Sequence, residues 1–175
     1  MARQKPETRE TLLARLDTLG VDYTEYFHPA VFTVKEAKEL RGELPGAHCK
    51  SLFLQAKGGS LFLVICLEWR RIDMKELANL LLSRRLSFGK PGLLMEKLGV
   101  KPGSVTPFAA INDTGSKGSR VTIVLDKIMM EETQVNYHPL INTATIGLSP
   151  RDLQCFLVDC DHVPLILDLD PVSQK

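Results

Sequence analysis

Lys50 is the first residue whose position in the sequence indicates chemistry. It lies in the segment CKSLFLQ, residues 49–55, whose alternation is typical of a half-buried strand. A period of two puts Lys50, Leu52 and Leu54 on one face of that strand. Such a lysine can simply extend its ammonium to water. It can instead aim the ammonium into a pocket, where a low dielectric strengthens its attraction for an anion.

His138 is the second candidate, in the segment NYHPLINTAT. The proline that follows it favours extended backbone, so the ring is expected at the end of a strand. It can bond a local carbonyl there, or it can orient a ligand and handle a proton. The other histidines, His28, His48 and His162, are not spaced as metal ligands, and a zinc site needs three or four ligands. No metal is expected.

The third candidate is the loop that begins the segment GVKPGSVTPFAAIND, residues 99–113. Two glycines and two prolines between Gly99 and Pro107 exclude the interior of a helix or of a central strand. The segment is either a plain turn or a shaped backbone that directs N–H groups at a ligand. No serine lies in a G-x-S-x-G elbow. Cys49 and His48 are adjacent in a strand and therefore point in opposite directions, which disfavours a cysteine nucleophile.

The elements that must position these residues are short and alternate in type. Capping-box and proline signals predict helices after Pro6, Thr33, Asp73 and Ser149, and another is expected near Gly92–Leu98. Two apolar runs around AKGG predict a β-hairpin. Further strands are expected in the segments 21–27, RVTIVLDKIM, TQVNYH, NTATIGL and VPLILDL, the second and third of these joined by an acidic turn. Consecutive strands with clustered helices indicate an α+β fold with a mixed or antiparallel sheet.

Composition limits the classes of function. The chain has 175 residues, enough for one domain, taken as residues 1–175, and its net charge is +1. A nucleic acid could therefore be bound only by a local basic patch. Such a patch is possible among Arg84, Arg85, Lys97 and Lys101, although charged helix faces are more often simply solvated. No secretory signal, membrane-spanning run or nucleotide-binding fingerprint is present, and a cytoplasmic location is expected.

Four segments in this order resemble one known family: HPAVFTVKEA, KSLFL, RLSFGKPGLLMEKLGVKPGSVTPFAAIND and YHPLINTATIGLS. The chain is similar, from about Thr8 to Leu169, to the YbaK and prolyl-tRNA synthetase-associated editing family. Its segment from Arg85 to Asp113 carries the most specific part of the likeness. The resemblance implies a single compact α+β domain with a curved mixed sheet flanked by helices. It also implies hydrolysis of an aminoacyl-tRNA ester in trans, with no metal and no nucleotide cofactor.

The resemblance also assigns roles to individual residues. Lys50 matches the family lysine that holds the terminal adenosine, and His138 matches the histidine at the pocket. Gly103 and Pro107 match a Gly-x-x-x-Pro loop whose backbone positions the ester. The family usually has asparagine where this chain has Ser51, a shorter hydroxyl. Further expected contacts to the substrate come from Val31, Phe32, Thr33, Ser104, Val105, Thr106, Asn142 and Thr143.

The resemblance is closest to the free-standing branch that deacylates alanine mischarged on proline tRNA. Its partner is then mischarged proline tRNA, with transient contact to prolyl-tRNA synthetase and none to a membrane. A pocket too small for proline would act as the second sieve, with Val31, Phe32 and Thr33 as its wall. Three alternatives stay open: cysteine as the amino acid removed, a non-catalytic module that binds tRNA or synthetase, and a purely structural domain.

Overall fold

The predicted hairpin forms the centre of the sheet. In the computed structural model, which describes residues 5–30, 39, 44–115 and 118–170, strand β2 (Ala47–Ala56) pairs antiparallel with strand β3 (Leu61–Leu67). The turn between them contains Gly58 and Gly59 at positive φ, a conformation that glycine adopts without steric cost. Every side chain of β3 is buried, as its continuous apolar sequence predicts.

Six further strands extend this hairpin into a mixed sheet of eight. They are β1 (Tyr23–Phe27), β4 (Leu86–Phe88), β5 (Thr122–Asp126), β6 (Val135–Tyr137), β7 (Ala144–Leu148) and β8 (Leu165–Leu167). The order across the sheet is β1-β7-β6-β2-β3-β5-β8, and β4 pairs with β2 outside this path. Strands β5 and β8 run parallel to their neighbours, as β6 does to β2, whereas the other pairs are antiparallel.

One edge of β2 is shared by two short partners, which leaves a gap. Strand β6 pairs with Ala47 and His48 at the start of β2, and β4 pairs with residues 54–56 at its end. Residues 49–53 between them have no strand partner on this edge among the described residues. Ala47 donates its N–H to Gln134 next to β6, so by alternation the backbone of Ser51 also faces this edge. The gap therefore exposes polar backbone in the middle of the sheet.

In the described part of the chain, four α-helices with ends encoded in the sequence cover the sheet. They are α1 (Arg9–Thr18), α2 (Met74–Leu80), α3 (Pro91–Leu98) and α4 (Pro150–Asp159). The side chains of Thr8, Asp73 and Ser149 accept backbone N–H groups at the starts of α1, α2 and α4. Gly99 ends α3 at a φ of 66°. No helix in the described part of the chain is long and apolar enough to cross a membrane.

Two apolar clusters lie on the two faces of the sheet. The larger contains Leu12, Leu16, Phe108 and Phe156, and the two phenylalanine rings meet edge to face with centroids 5.4 Å apart. The smaller packs Leu54 and neighbouring strand residues against α2. Each fully buried side chain of this size contributes about 1.5–3 kcal/mol to folding. The α+β class is thus confirmed, and Leu52 and Leu54 share one face as predicted.

The structure differs from the sequence predictions in two places, and it leaves a third prediction untested. Strand β4 was not predicted, because only one of its three residues is buried and the segment shows no apolar run. Strands β5 and β6 do not pair with each other, since a 3₁₀ helix (Ile128–Glu131) separates them and sends them to different neighbours. The helix predicted after Thr33 falls almost wholly outside the described residues.

Candidate active site

The gap beside β2 opens into a cavity of about 290 Å³. This volume lies near the lower end of the range for small-molecule sites, so it admits the end of a large substrate and not its body. Five of the predicted residues line it together although they come from three separate parts of the sequence: Lys50, Ser51, Gly103, Val105 and His138. Among the described residues, the lining comprises His48, Cys49, Lys50, Ser51, Glu68, Gly103, Val105, Asn136, Tyr137, His138 and Thr145.

Lys50 is held in this cavity by a backbone contact. Its side chain is half-buried, and Nζ donates a hydrogen bond to the carbonyl oxygen of Arg70. A lysine has three ammonium protons, so this bond fixes the position of the charge and leaves donors for a second group. Lys50 therefore neither extends freely into water nor lies unpaired in the interior.

Arg70, which supplies that carbonyl, is itself fixed by buried carboxylate contacts. Its Nε lies 2.8 Å from Oδ2 of Asp126, and its Nη2 lies 3.1 Å from Oδ1. The side chains are 2% and 0% exposed, and Asp170 also accepts from Arg70. The hydrogen bond to Asp126 raises the pKa of Arg70, so the guanidinium stays charged. Through this pair the carbonyl that holds Lys50 is anchored to β5.

His138 lies just beyond the end of β6 with one ring nitrogen bonded to the backbone. Its Nδ1 lies 2.9 Å from the carbonyl oxygen of Ala144, which can only accept, so Nδ1 carries the proton. In the neutral ring Nε2 is then the acceptor. The sequence left open whether His138 bonds a carbonyl or faces a ligand site. The structure shows the bond to a carbonyl and places the residue in the cavity lining, and a role in orienting a ligand or handling a proton stays a prediction.

A second histidine, His28, lies beside His138 and contacts a residue of the cavity lining. His28 follows the end of β1, and its ring centroid is 5.9 Å from that of His138. Its Nδ1 lies 2.9 Å from the carbonyl of Pro29, and its Nε2 lies 2.9 Å from Oγ1 of Thr145, a cavity residue. Each of the two His-Pro dipeptides in the sequence therefore ends a strand that pairs with β7.

The predicted glycine loop contributes only part of its length to the cavity. Gly103, at a φ of 89°, and Val105 line it. The N–H of Ser104 is already used, because it donates to the carbonyl of Lys101 at 3.0 Å. Thr106 and Pro107 are buried at the start of a 3₁₀ helix (Pro107–Asn112), where the Thr106 side chain accepts from the N–H of Phe108. Ser104, Thr106 and Pro107 shape this loop without lining the cavity.

Cys49 is the one thiol in the cavity lining, and burial keeps it protonated. Burial raises the pKa of Cys49 to about 12, and that of neighbouring Cys66 to about 11. A protonated thiol is a poor nucleophile at neutral pH. This agrees with the sequence argument against a cysteine nucleophile. Among the described residues, no group of three or more His, Cys, Asp and Glu side chains is placed to hold a metal ion.

The remaining predicted contacts are spread over several places. Asn142 and Thr143 precede β7 and do not line the cavity, although the carbonyl of Thr143 accepts the N–H of His28 at 3.0 Å. Val31, Phe32 and Thr33 lie outside the described residues. Their predicted role as the wall of a sieve stays a prediction.

The four residues of the predicted basic patch differ in exposure. Arg84, Arg85 and Lys101 are exposed, so contacts of these three with phosphates stay a prediction. Lys97 differs, because its side chain faces the core from α3 and is 7% exposed. Its Nζ donates to the carbonyl of Ser119 at 3.4 Å. The assignment of Lys97 to a phosphate-binding surface is therefore wrong.

Several cavity residues were missed by the sequence analysis. His48 could have been found, because a period of two puts it on the same face as Lys50. Glu68 follows the end of β3, and its N–H donates to the carbonyl of His48 at 2.9 Å. Asn136, Tyr137 and Thr145 reach the cavity through the pairing of β6 with β2 and β7, which no local pattern indicates.

This fold and cavity define a class of protein. Residues 28–156 match the family model of the aminoacyl-tRNA editing domain. The chain therefore belongs to this family of enzymes, which remove amino acids from tRNA, and the resemblance in the sequence is confirmed. Its substrate class is aminoacyl-tRNA, and the non-catalytic and purely structural alternatives fall away.

More particular relatives lie within the prolyl-tRNA group. The chain is 37% identical over 166 residues to prolyl-tRNA synthetase associated domain-containing protein 1 of Danio rerio, across 94% of this chain and 89% of the relative. It is 34% identical over 149 residues to prolyl-tRNA editing protein ProX of Acetoanaerobium sticklandii, across 85% and 89%. A solved structure described as a candidate trans-editing enzyme for prolyl-tRNA synthetase shares the fold, with a TM-score of 0.70 and 21% identity over 93% of this chain and 96% of that one.

Proposed function

We propose that this enzyme hydrolyses the ester that joins alanine to the 3′ end of mischarged proline tRNA. The observation that carries the proposal is the meeting of Lys50, Gly103 and His138 in one small cavity at the gap in the sheet. The names of the relatives support proline tRNA as the carrier. The enzyme then acts on released tRNA, with at most a transient contact to prolyl-tRNA synthetase, and in the cytoplasm.

The chemical step is an attack of water on the ester carbonyl. The water oxygen bonds to the carbonyl carbon, and the carbonyl oxygen becomes an oxyanion. The carbon–oxygen bond to the ribose then breaks and the amino acid leaves as its carboxylate. One proton of the water passes to the ribose oxygen and the other is released to solvent. The neighbouring ribose hydroxyl assists the water, which removes the need for a protein nucleophile.

The glycine loop is suited to stabilise the oxyanion. The N–H groups of Gly103 and Val105 are the candidate donors, since the N–H of Ser104 is occupied by Lys101. Each well-placed donor of this kind contributes about 3–4 kcal/mol to transition-state stabilisation. Gly103 has no side chain to obstruct the approach of the ester, and a Cβ built there meets no atom within 4 Å.

Lys50 and His138 orient the substrate in this proposal. The ammonium of Lys50 has donors left beyond its bond to Arg70, and it attracts the anionic 3′ end of the RNA. His138, whose Nδ1 donates to the carbonyl of Ala144, lines the same cavity, and its ring is placed to contact the ribose or the amino acid of the substrate.

Selection of alanine rests on size. Proline carries a ring that alanine lacks, and a synthetase site built for proline cannot strongly exclude the smaller residue. A second site that is too small for proline removes the error and spares the correct product. Cysteine is close to alanine in size, so Cys-tRNA(Pro) remains the alternative substrate, and only a direct comparison separates the two.

The test is deacylation of proline tRNA charged separately with alanine, cysteine and proline. We expect rapid loss of alanine, slow loss of cysteine and stable prolyl-tRNA. Lys50→Ala should abolish the reaction, whereas Lys57→Ala, which alters an exposed lysine in the turn of the same hairpin, should not. Faster release of cysteine would establish the alternative. Stability of all three esters would overturn the proposal.

A further inference from the structure

An exposed tryptophan lies at the end of β3, next to the cavity. Trp69 is the only tryptophan in the chain, and it is 65% exposed. Glu68 before it lines the cavity, and Arg70 after it supplies the carbonyl that holds Lys50. Trp69 is therefore adjacent in the sequence to two residues that belong to the site or support it. No role described so far accounts for a large apolar ring in this position.

The indole is held in place from two directions. Its backbone lies in a tight turn, closed by a hydrogen bond of 3.0 Å from the N–H of Arg70 to the carbonyl of Leu67. Its ring lies against the guanidinium of Arg70, with Cζ 5.4 Å from the ring centroid. Because the Arg70 side chain is 2% exposed and paired with Asp126, the guanidinium that contacts the indole is held in a fixed position. One face of the indole packs on this guanidinium, and most of the remaining ring surface is accessible to solvent.

We infer that Trp69 is a stacking platform for an unpaired nucleobase of the tRNA 3′ end. Single-stranded RNA is commonly gripped by aromatic side chains on which its bases stack, and a preformed platform loses little entropy on binding. Arg71, which follows, is exposed and adds positive charge for the neighbouring phosphate. The inference rests on the proposed function, because it describes how the same site holds the RNA that carries the ester.

Fluorescence of the wild-type protein tests this directly, since Trp69 is its only indole. The probes are an uncharged proline tRNA transcript and the same transcript without its unpaired 3′ nucleotides. We expect saturable quenching by the complete transcript and little by the shortened one. Equal signals from both, or none from either, would overturn the inference. Neither probe carries an ester, so the result does not depend on hydrolysis.

Variants separate stacking from structural support. Trp69→Ala should raise KM for alanyl-tRNA(Pro) about 5- to 150-fold with kcat unchanged, the range expected for one stacked base. Trp69→Phe retains a ring and should recover most of this loss. Val163→Ala, which alters an exposed apolar residue before β8, should leave KM unchanged. A fall in kcat for Trp69→Ala without a change in KM would assign the ring to support of Arg70 instead.

The two proposals can fail separately. If alanyl-tRNA(Pro) is hydrolysed while Trp69→Ala behaves as wild type, the stacking inference is wrong and the deacylase proposal stands. If the transcript quenches Trp69 while none of the charged tRNAs is hydrolysed, the platform stands and the proposed reaction is wrong. Quenching by unrelated proteins and not by RNA would make the ring a protein contact.

Discussion

The ammonium of Lys50 donates to the backbone carbonyl of Arg70, a residue whose side chain is buried against Asp126. The charge in the cavity is thus connected to an ion pair in the interior. Since a backbone carbonyl moves only when its chain moves, the position of Lys50 depends on how firmly the segment after β3 is held. This relationship makes Asp126 a positioning residue.

Replacement of Asp126 should therefore weaken both folding and the site. Asp126→Asn removes the buried charge partner of Arg70 and leaves it only the exposed carboxylate of Asp170, and breaking a buried pair in this way typically costs about 3–5 kcal/mol in the free energy of unfolding. Urea denaturation measures this loss. The matched control is Asp161→Asn, which breaks an ion pair with Arg120 in which the aspartate is 82% exposed, and it should cost about 0–1 kcal/mol. Equal losses in the two variants would contradict the role assigned to the buried pair.

Gly103→Ala should reduce activity more than its cost in stability explains. A residue with a Cβ is strained at a φ of 89°, by about 1–2 kcal/mol, although no atom lies within 4 Å of the added methyl group. Gly20→Ala is the control, because Gly20 also has positive φ and open space but lies at the end of α1. We expect both variants to shift the unfolding midpoint by a similar amount. Only Gly103→Ala should lower kcat. Equal kcat values for the two variants would show that the loop around Gly103 does not stabilise the transition state.

Cys49 should remain unreactive although it lines the cavity. Its pKa of about 12, raised by burial, leaves almost no thiolate at neutral pH. Treatment with iodoacetamide followed by peptide mass spectrometry should label the exposed Cys155 well before Cys49 and the buried Cys66. Cys49→Ala should keep the deacylation rate. A prompt loss of activity that follows labelling of Cys49 would show a thiol role that its burial argues against.

His162 should make the fold less stable in mild acid. Burial lowers its pKa below the ordinary value of 6.5, although Asp113, with Oδ2 3.6 Å from Nε2, opposes this effect. As the pH falls below 6.5, the unfolded chain takes up a proton that the folded state does not, so the free energy of unfolding decreases. Urea titrations between pH 8 and pH 5 measure this slope. His162→Gln should flatten it, and an unchanged slope would assign the acid sensitivity to other groups.

Local patterns predicted those parts of the molecule that depend on neighbouring residues. The period of two in β2 placed Lys50, and the glycine and proline signals placed the loop around Gly103 and the ends of α3 and α4. The walls of the cavity depend instead on which strands meet. Thr145 reaches the site only because β7 pairs with both β1 and β6, and no local pattern carries this information.

Burial of charge was the other property that the sequence did not reveal. Lys97 occurs among other basic residues, yet α3 turns it toward the core while Arg84 and Arg85 stay outside. Arg70 is likewise buried by its pairing with Asp126, which is 56 residues away in the chain. Net charge and spacing cannot distinguish such residues from surface cations.

Because β6 and β4 share one edge of β2, the number of residues between their contacts on β2 is fixed. A single inserted residue between Lys50 and the β4 contacts would turn one end of the strand to the opposite face of the sheet. Either the lysine would enter the larger apolar cluster, or Leu54 would leave the smaller one. Lengthening of the turn at residues 58–60 disturbs neither partner. We therefore expect changes in chain length to be tolerated in the turn of the hairpin and not within β2, where they would displace Lys50.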